Sequence, residues 1–214
     1  MIMTSNIRKL MLTFHVTASI GWAGALAVFL AHSLVSLSNQ DPAMVRAACL
    51  MMGITAWFVI LPLAATSLVT GLMQAMGTAW GLFRHYWVTI KLLLTAFATA
   101  VLLLKLTPIS ALSAAAQTAV SLQDFAGLQL SLLVHAAGGL GVLLVTTALA
   151  IYKPAGLTPY GTRMLGTRST DRRDAGSIAG LPRWVKGFLA AAVVFLLLLV
   201  AMLMHGGHGP GAHM

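Results

Sequence analysis

Residues 128–152 read LQLSLLVHAAGGLGVLLVTTALAIY, a stretch without any Asp, Glu, Lys or Arg. A segment that crosses hydrocarbon needs about 20 mostly apolar residues and must satisfy its own backbone hydrogen bonds, as an α-helix does. A strand of a membrane barrel would instead alternate apolar and polar residues. Similar runs recur along the chain, and they predict five transmembrane helices, at Leu10 to Leu37, Ala47 to Met76, Tyr86 to Leu106, Leu128 to Tyr152 and Trp184 to Met204.

The overall composition also indicates a membrane protein, since 59% of the 214 residues are apolar and only 8% are charged. No water-soluble domain of this size tolerates such long uncharged runs. The net charge of +9 does not indicate a nucleic-acid partner, because most basic residues lie in one loop and at helix ends. The predicted partner is the lipid bilayer, and the predicted location is the bacterial inner (cytoplasmic) membrane, as a multi-pass protein.

The orientation is predicted from the Lys and Arg residues of the connections, which concentrate on the cytoplasmic side of inner-membrane proteins. One side holds most of them: Arg8, Lys9, Arg84, Lys153, Arg163, Arg168, Arg172, Arg173, Arg183 and Lys186. The other side holds Arg46 and Lys105. The amino terminus is therefore predicted to be cytoplasmic, and five spans place the carboxyl terminus outside.

The chain divides into four parts: a four-helix transmembrane bundle (1–153), a cytoplasmic basic linker (154–183), the fifth transmembrane helix (184–204) and a His- and Gly-rich tail (205–214). Pro62 predicts a kink in the second helix. The connection from Pro108 to Gly127 is Ala-rich and weakly amphipathic, which predicts a short helix on the outer membrane surface.

Four ionisable residues fall at membrane depth, where they are costly and usually functional. His15 and Lys91 are predicted at an inner level, and His32 and His135 at an outer level, each about 8 to 10 Å inside a boundary. Trp22 lies seven residues after His15 on the same helix face and is predicted to support the inner level.

His135 is followed by Gly138, Gly139 and Gly141, which allow a neighbouring helix or a flat cofactor to approach closely. Haem iron takes axial histidines, and helical bundles build such sites from facing helices, so a b-type haem between the first and fourth helices is one interpretation. The absence of a CxxCH motif excludes covalent attachment. The alternative is that each histidine only donates a hydrogen bond to a neighbouring helix.

The tail histidines His205, His208 and His213 suit copper or a similar metal, although a solvated end is the alternative interpretation. The chain has no P-loop, HExxH or GxSxG motif and no membrane carboxylate pair. These absences disfavour the corresponding soluble enzymes and proton-coupled transporters.

The motif FHVTASIGWAG (residues 14–24) and the later HYWVTIKLLL (residues 85–94) resemble a group of small bacterial membrane proteins. This group includes HemJ-type protoporphyrinogen oxidases, the CopD copper-resistance membrane domain and related uncharacterised families. The resemblance covers about Leu10 to Tyr152. It implies a b-type haem held by the first-helix histidine, His15, with a functional role for the third-helix lysine, Lys91.

The resulting hypothesis is a haem-b-binding membrane protein of redox, electron-transport or haem-related function. His15 or His135 is the expected axial ligand, with His32 as a further metal-ligand candidate. Trp22, Lys91, Gly138 and Gly139 are expected to shape the pocket. The alternative is a non-enzymatic membrane subunit or a copper-handling, CopD-like protein. Redox or membrane-complex partner subunits are expected in either case.

Overall fold

A computed structural model of the protein describes residues 4–77, 82–118, 122–154, 156–166 and 182–188, together with 190, 191 and 194. A π-helical turn at Ala56–Ile60 joins α2 to α3, and a 3₁₀ turn at Leu122–Phe125 precedes α5. The α-helices that we name are α1 (Ser5–Ser38), α2 (Pro42–Thr55), α3 (Leu61–Gly77), α4 (Tyr86–Gln117), α5 (Ala126–Tyr152) and α6 (Pro159–Gly166).

Four helical segments of the described residues are long and apolar enough to cross a membrane: Ser5–Ser38, Pro42–Gly77, Tyr86–Gln117 and Ala126–Tyr152. The prediction of an all-helical protein with several membrane spans is confirmed at this level, and the described ranges contain no β-strand. The predicted fifth helix, Trp184 to Met204, falls mostly outside the described residues, although 183–188 are helical. The tail, 205–214, falls wholly outside them.

The four spans form a bundle with α1 and α4 at opposite corners. Helix α1 packs against α2, α3 and α5, and α4 packs against the same three helices. The core between them is apolar and includes the buried residues Trp22, Met52, Leu112 and Leu132. Because consecutive spans are antiparallel neighbours, the start of α1, the end of α3, the start of α4 and the end of α5 meet at one end, which we call the amino-terminal end.

The second span contains a π-helical turn next to Pro62, close to the predicted kink. The Leu61 N–H bonds to the Ala56 carbonyl, five residues back, and this wide turn precedes the proline, which has no N–H to donate. Thr66 donates its hydroxyl to the Pro62 carbonyl at 2.7 Å. The turn directs Ala56 and Ile60 into the core, where both are buried.

The predicted end of the third span at Leu106, with a separate surface helix after Pro108, is wrong. Helix α4 instead runs through Pro108 to Gln117. Ile109, Leu112 and Ala116 are buried, at the three- to four-residue spacing of a helix that keeps one face on its neighbour. That packing outweighs the single backbone hydrogen bond that the proline removes, because the loss of one bond is local and the buried face is long.

A short helix, α6, lies within the predicted linker and was not predicted. Thr158 begins it, because its hydroxyl accepts a hydrogen bond from the Gly161 N–H at 3.1 Å, with Pro159 at the first helical position. The Thr158 N–H donates to the Arg84 carbonyl at 2.9 Å. This bond holds the start of α6 against the connection between α3 and α4, at the amino-terminal end of the bundle.

Candidate functional site

A cavity lies in the middle of the bundle, between the opposite corners formed by α1 and α4. Its cavity volume is about 60 Å³, and it is partly open to its surroundings. Its walls are mostly apolar and come from α1, the π-helical turn, α4 and α5. The side chains that matter to its chemistry are Trp22, Phe29, Lys105 and His135, with Gly138 and Gly139 beside them.

His135 presents one ring nitrogen without a partner in this cavity wall. Its Nδ1 lies 2.6 Å from the carbonyl oxygen of Ser131, one turn earlier in α5. A carbonyl only accepts hydrogen bonds, so Nδ1 carries the proton and Nε2 holds a lone pair. Nε2 is buried and has no hydrogen-bond partner among the described residues, while the whole side chain is 7% exposed. A neutral histidine held in this way is the usual form of a metal ligand.

Lys105 lines the same cavity, and the sequence analysis did not predict this. Its ammonium donates to the Ser131 hydroxyl at 3.3 Å and is close enough for its charge to act on His135. The prediction ends the third helix at Leu106, which places Lys105 at its outer end. In the structure, α4 continues for about three further turns beyond Lys105.

The glycines after His135 allow α1 and α5 to approach each other. A Cβ atom on Gly139 would lie 3.1 Å from a methyl carbon of Leu26, closer than side chains normally pack. Gly138 lines the cavity without a side chain to fill it. Trp22, at 2% exposure, contributes to the opposite wall. The structure therefore places Trp22 with His135, whereas the prediction placed it with His15.

His15 occupies a separate polar seam between α1 and α3. Its Nδ1 lies 3.0 Å from the Ser67 carbonyl and 3.3 Å from the Thr70 hydroxyl. Its ring lies against Gly71, where an added Cβ would come within 2.9 Å of the imidazole. The seam continues through a 2.8 Å hydrogen bond between the Ser19 and Ser67 hydroxyls. The sequence analysis missed the α3 side of this seam, for which the small polar residues of TSLVTG (66–71) were the available signal.

Lys91 belongs to the level of His15, in agreement with the depth that the sequence predicted. Its charge is close enough to interact with the His15 imidazole. Neither His15 nor Lys91 is among the described residues that line the cavity. The structure therefore keeps the predicted inner level apart from the cavity around His135.

His32 is half-buried and lies nearer the opposite end of α1. Its Nδ1 is buried without a hydrogen-bond partner in the described part of the chain, but His32 does not line the cavity. The described residues contain no group of three or more His, Cys, Asp or Glu side chains that could hold a metal ion by themselves. His205, His208 and His213 lie outside the described ranges.

The fold and the cavity define a class of protein: a helical multi-span membrane protein with an apolar cavity between its helices and one buried, unpartnered imidazole nitrogen on a residue that lines it. Comparisons with family models, with characterised proteins and with solved structures found no match to this chain. The resemblance to the HemJ and CopD group stays a prediction, and the site is interpreted from its own geometry.

Proposed function

We propose that this chain is a haem-b-binding protein of the bacterial inner membrane with a role in electron transfer. The observation that carries the proposal is the buried, unpartnered Nε2 of His135 in the wall of an apolar cavity. We further propose five spans, with the amino terminus in the cytoplasm and the carboxyl terminus outside, on the basis of the basic residues at the amino-terminal end.

The chemistry of the residues around the cavity suits a haem held by one axial histidine, although the cavity of about 60 Å³ would have to widen to admit the porphyrin ring. His135 would bind the iron through Nε2, and the Ser131 carbonyl would keep the imidazole ring oriented through Nδ1. Gly138 and Gly139 leave room next to the ligand, and Trp22 and Phe29 supply flat apolar surface. Bound haem would supply one-electron chemistry, and the apolar walls would exclude water and so influence its potential.

His135 is the preferred ligand over His15, the residue implied by the resemblance. The His15 ring lies against Gly71 in the α1–α3 seam and does not line the cavity. His135 is also held by a bond within its own helix, so its orientation does not depend on a neighbouring span. The partners of the electron transfer are expected to be other membrane subunits.

The absorption spectrum of the purified protein tests this proposal directly. Protein expressed with adequate haem supply is expected to show a Soret band, which His135→Gly removes and added imidazole partly restores by replacing the missing ligand. His15→Ala and His32→Ala are matched controls, since both remove a histidine from α1, and both are expected to keep the band.

Two results would contradict the proposal. The first is wild-type protein without a Soret band, and the second is full haem content in the His135→Gly variant eluting as a folded protein on size exclusion. Copper binding that disappears when residues 205–214 are removed would instead favour the copper-handling alternative.

A further inference from the structure

A small polar cluster interrupts the apolar wall of the cavity. Lys105 from α4 donates to the Ser131 hydroxyl of α5 at 3.3 Å, and the Ser131 carbonyl accepts the His135 Nδ1–H at 2.6 Å. Since the Ser131 hydroxyl accepts from Lys105, its own hydrogen remains available to a further acceptor. Lys105 and His135 both line the cavity, and Ser131 links them from outside its lining.

No acidic side chain of the described residues forms an ion pair with Lys105. The sequence has four acidic residues, Asp41, Asp124, Asp171 and Asp174, and all of them lie outside the four spans. A lysine in apolar surroundings is costly unless it is paired. Lys105 lines the apolar cavity, which is therefore complementary to an apolar molecule with an anionic end.

We infer that the cavity binds an amphipathic carboxylate, whose carboxylate is held by Lys105 while its apolar body lies beside Trp22 and the glycines. This inference deepens the proposed function and rests on it for the identity of the body, since haem carries two carboxylates. It assigns the carboxylate to Lys105, whereas the sequence analysis assigned Lys91 to the pocket. Charge-assisted hydrogen bonds of this kind are stronger than neutral ones.

Lys91 is a well-matched control for Lys105. The two lysines are on the same helix, 14 positions apart (105 − 91), which at about 100° and 1.5 Å per residue places them on nearly the same face but about 21 Å apart. Lys91 does not line the cavity. A general effect of removing a buried charge from α4 should appear in both variants, whereas loss of a carboxylate partner should appear only at Lys105.

The test compares metal-free protoporphyrin IX with its dimethyl ester, in uncharged detergent and with binding measured by porphyrin fluorescence. Without iron, binding does not depend on the axial histidine, so it separates the role of Lys105 from that of His135. Wild type is expected to bind the free acid about tenfold more tightly than the ester. Lys105→Met is expected to lose this preference, while Lys91→Met and Lys105→Arg keep it, the latter because it retains the charge.

Equal affinity of wild type for acid and ester would overturn the inference, as would loss of the preference in Lys91→Met but not in Lys105→Met. If wild type binds neither porphyrin, the haem proposal fails, and palmitate against methyl palmitate then provides the same comparison. A palmitate preference that requires Lys105 supports the carboxylate site without haem. If palmitate does not bind, or if palmitate and methyl palmitate bind equally, the carboxylate site is overturned.

Discussion

At the scale of single residues, His15 and His135 use the same hydrogen bond for different purposes. Both present Nδ1 to a backbone carbonyl, but His135 bonds within α5 whereas His15 bonds from α1 to Ser67 in α3. A hydrogen bond within one helix orients the imidazole ring for a ligand. A hydrogen bond between two helices holds those helices together. The His15 seam is therefore expected to stabilise the bundle, and Gly71 is the residue that makes room for it.

Replacement of Gly71 by alanine is expected to destabilise the protein by about 1–3 kcal/mol, because the new Cβ displaces the imidazole. The buried Cys49, at 0% exposure, allows unfolding to be followed with a thiol-reactive fluorogenic dye. Gly24→Ala is the matched control on α1, since a Cβ there meets nothing within 4 Å. The combined Gly71→Ala and His15→Ala variant should cost less than the sum of the two changes, and full additivity would contradict this account.

The two bonds also differ in how far the sequence could predict them. Ser131 and His135 are four residues apart, so their proximity follows from helical spacing alone. His15 and Ser67 are in different helices, and a single sequence carries no information on how two helices are aligned along their axes. For the same reason the sequence placed Trp22 beside His15 on one helix face but could not show which neighbouring helices that face meets.

At the scale of elements, the continuation of α4 through Pro108 extends its packing against α2. It brings Ser113 against Gly53 of α2, where an added Cβ would lie 2.8 Å from the Ser113 Cβ. Proline is a strong helix breaker in water, so the local sequence predicts that the helix ends before Pro108. In the structure, packing of the buried face of α4 keeps the helix intact through the proline. A rule based on local sequence does not include such tertiary packing.

This contact gives a test of the long helix. Gly53→Ala is expected to lower the free energy of unfolding by about 1–3 kcal/mol through overpacking, and Ser113→Gly in the same chain should restore most of it. Gly141→Ala, on α5, is the control because a Cβ there has open space. If residues 109–116 instead formed a separate surface helix, the Gly53→Ala variant would unfold like wild type and the second change would recover nothing.

At the scale of the whole molecule, the basic residues are unevenly distributed between the two ends of the bundle. Arg8, Lys9, Arg84 and Lys153 lie at the amino-terminal end, whereas Arg46 and Lys105 lie toward the opposite end. The four long helical runs of the described residues were predictable, apart from the later end of α4, since burial in lipid requires long apolar segments. The cavity was not predictable from the sequence, because it depends on which corners of the bundle α1 and α4 occupy.

The orientation can be measured with single cysteines, since the buried Cys49 should not react in the folded protein. Gln40→Cys lies in the turn between α1 and α2, and Phe83→Cys replaces a side chain that is 55% exposed at the amino-terminal end. In intact spheroplasts a membrane-impermeant maleimide is expected to label Gln40→Cys, and to label Phe83→Cys only after permeabilisation. The positive-inside rule gives this direction, because short connections rich in Lys and Arg are retained in the cytoplasm. The reverse labelling pattern would show that the protein has the opposite orientation in the membrane. Labelling of both sites from outside would contradict the antiparallel spans that place the two sites at opposite ends.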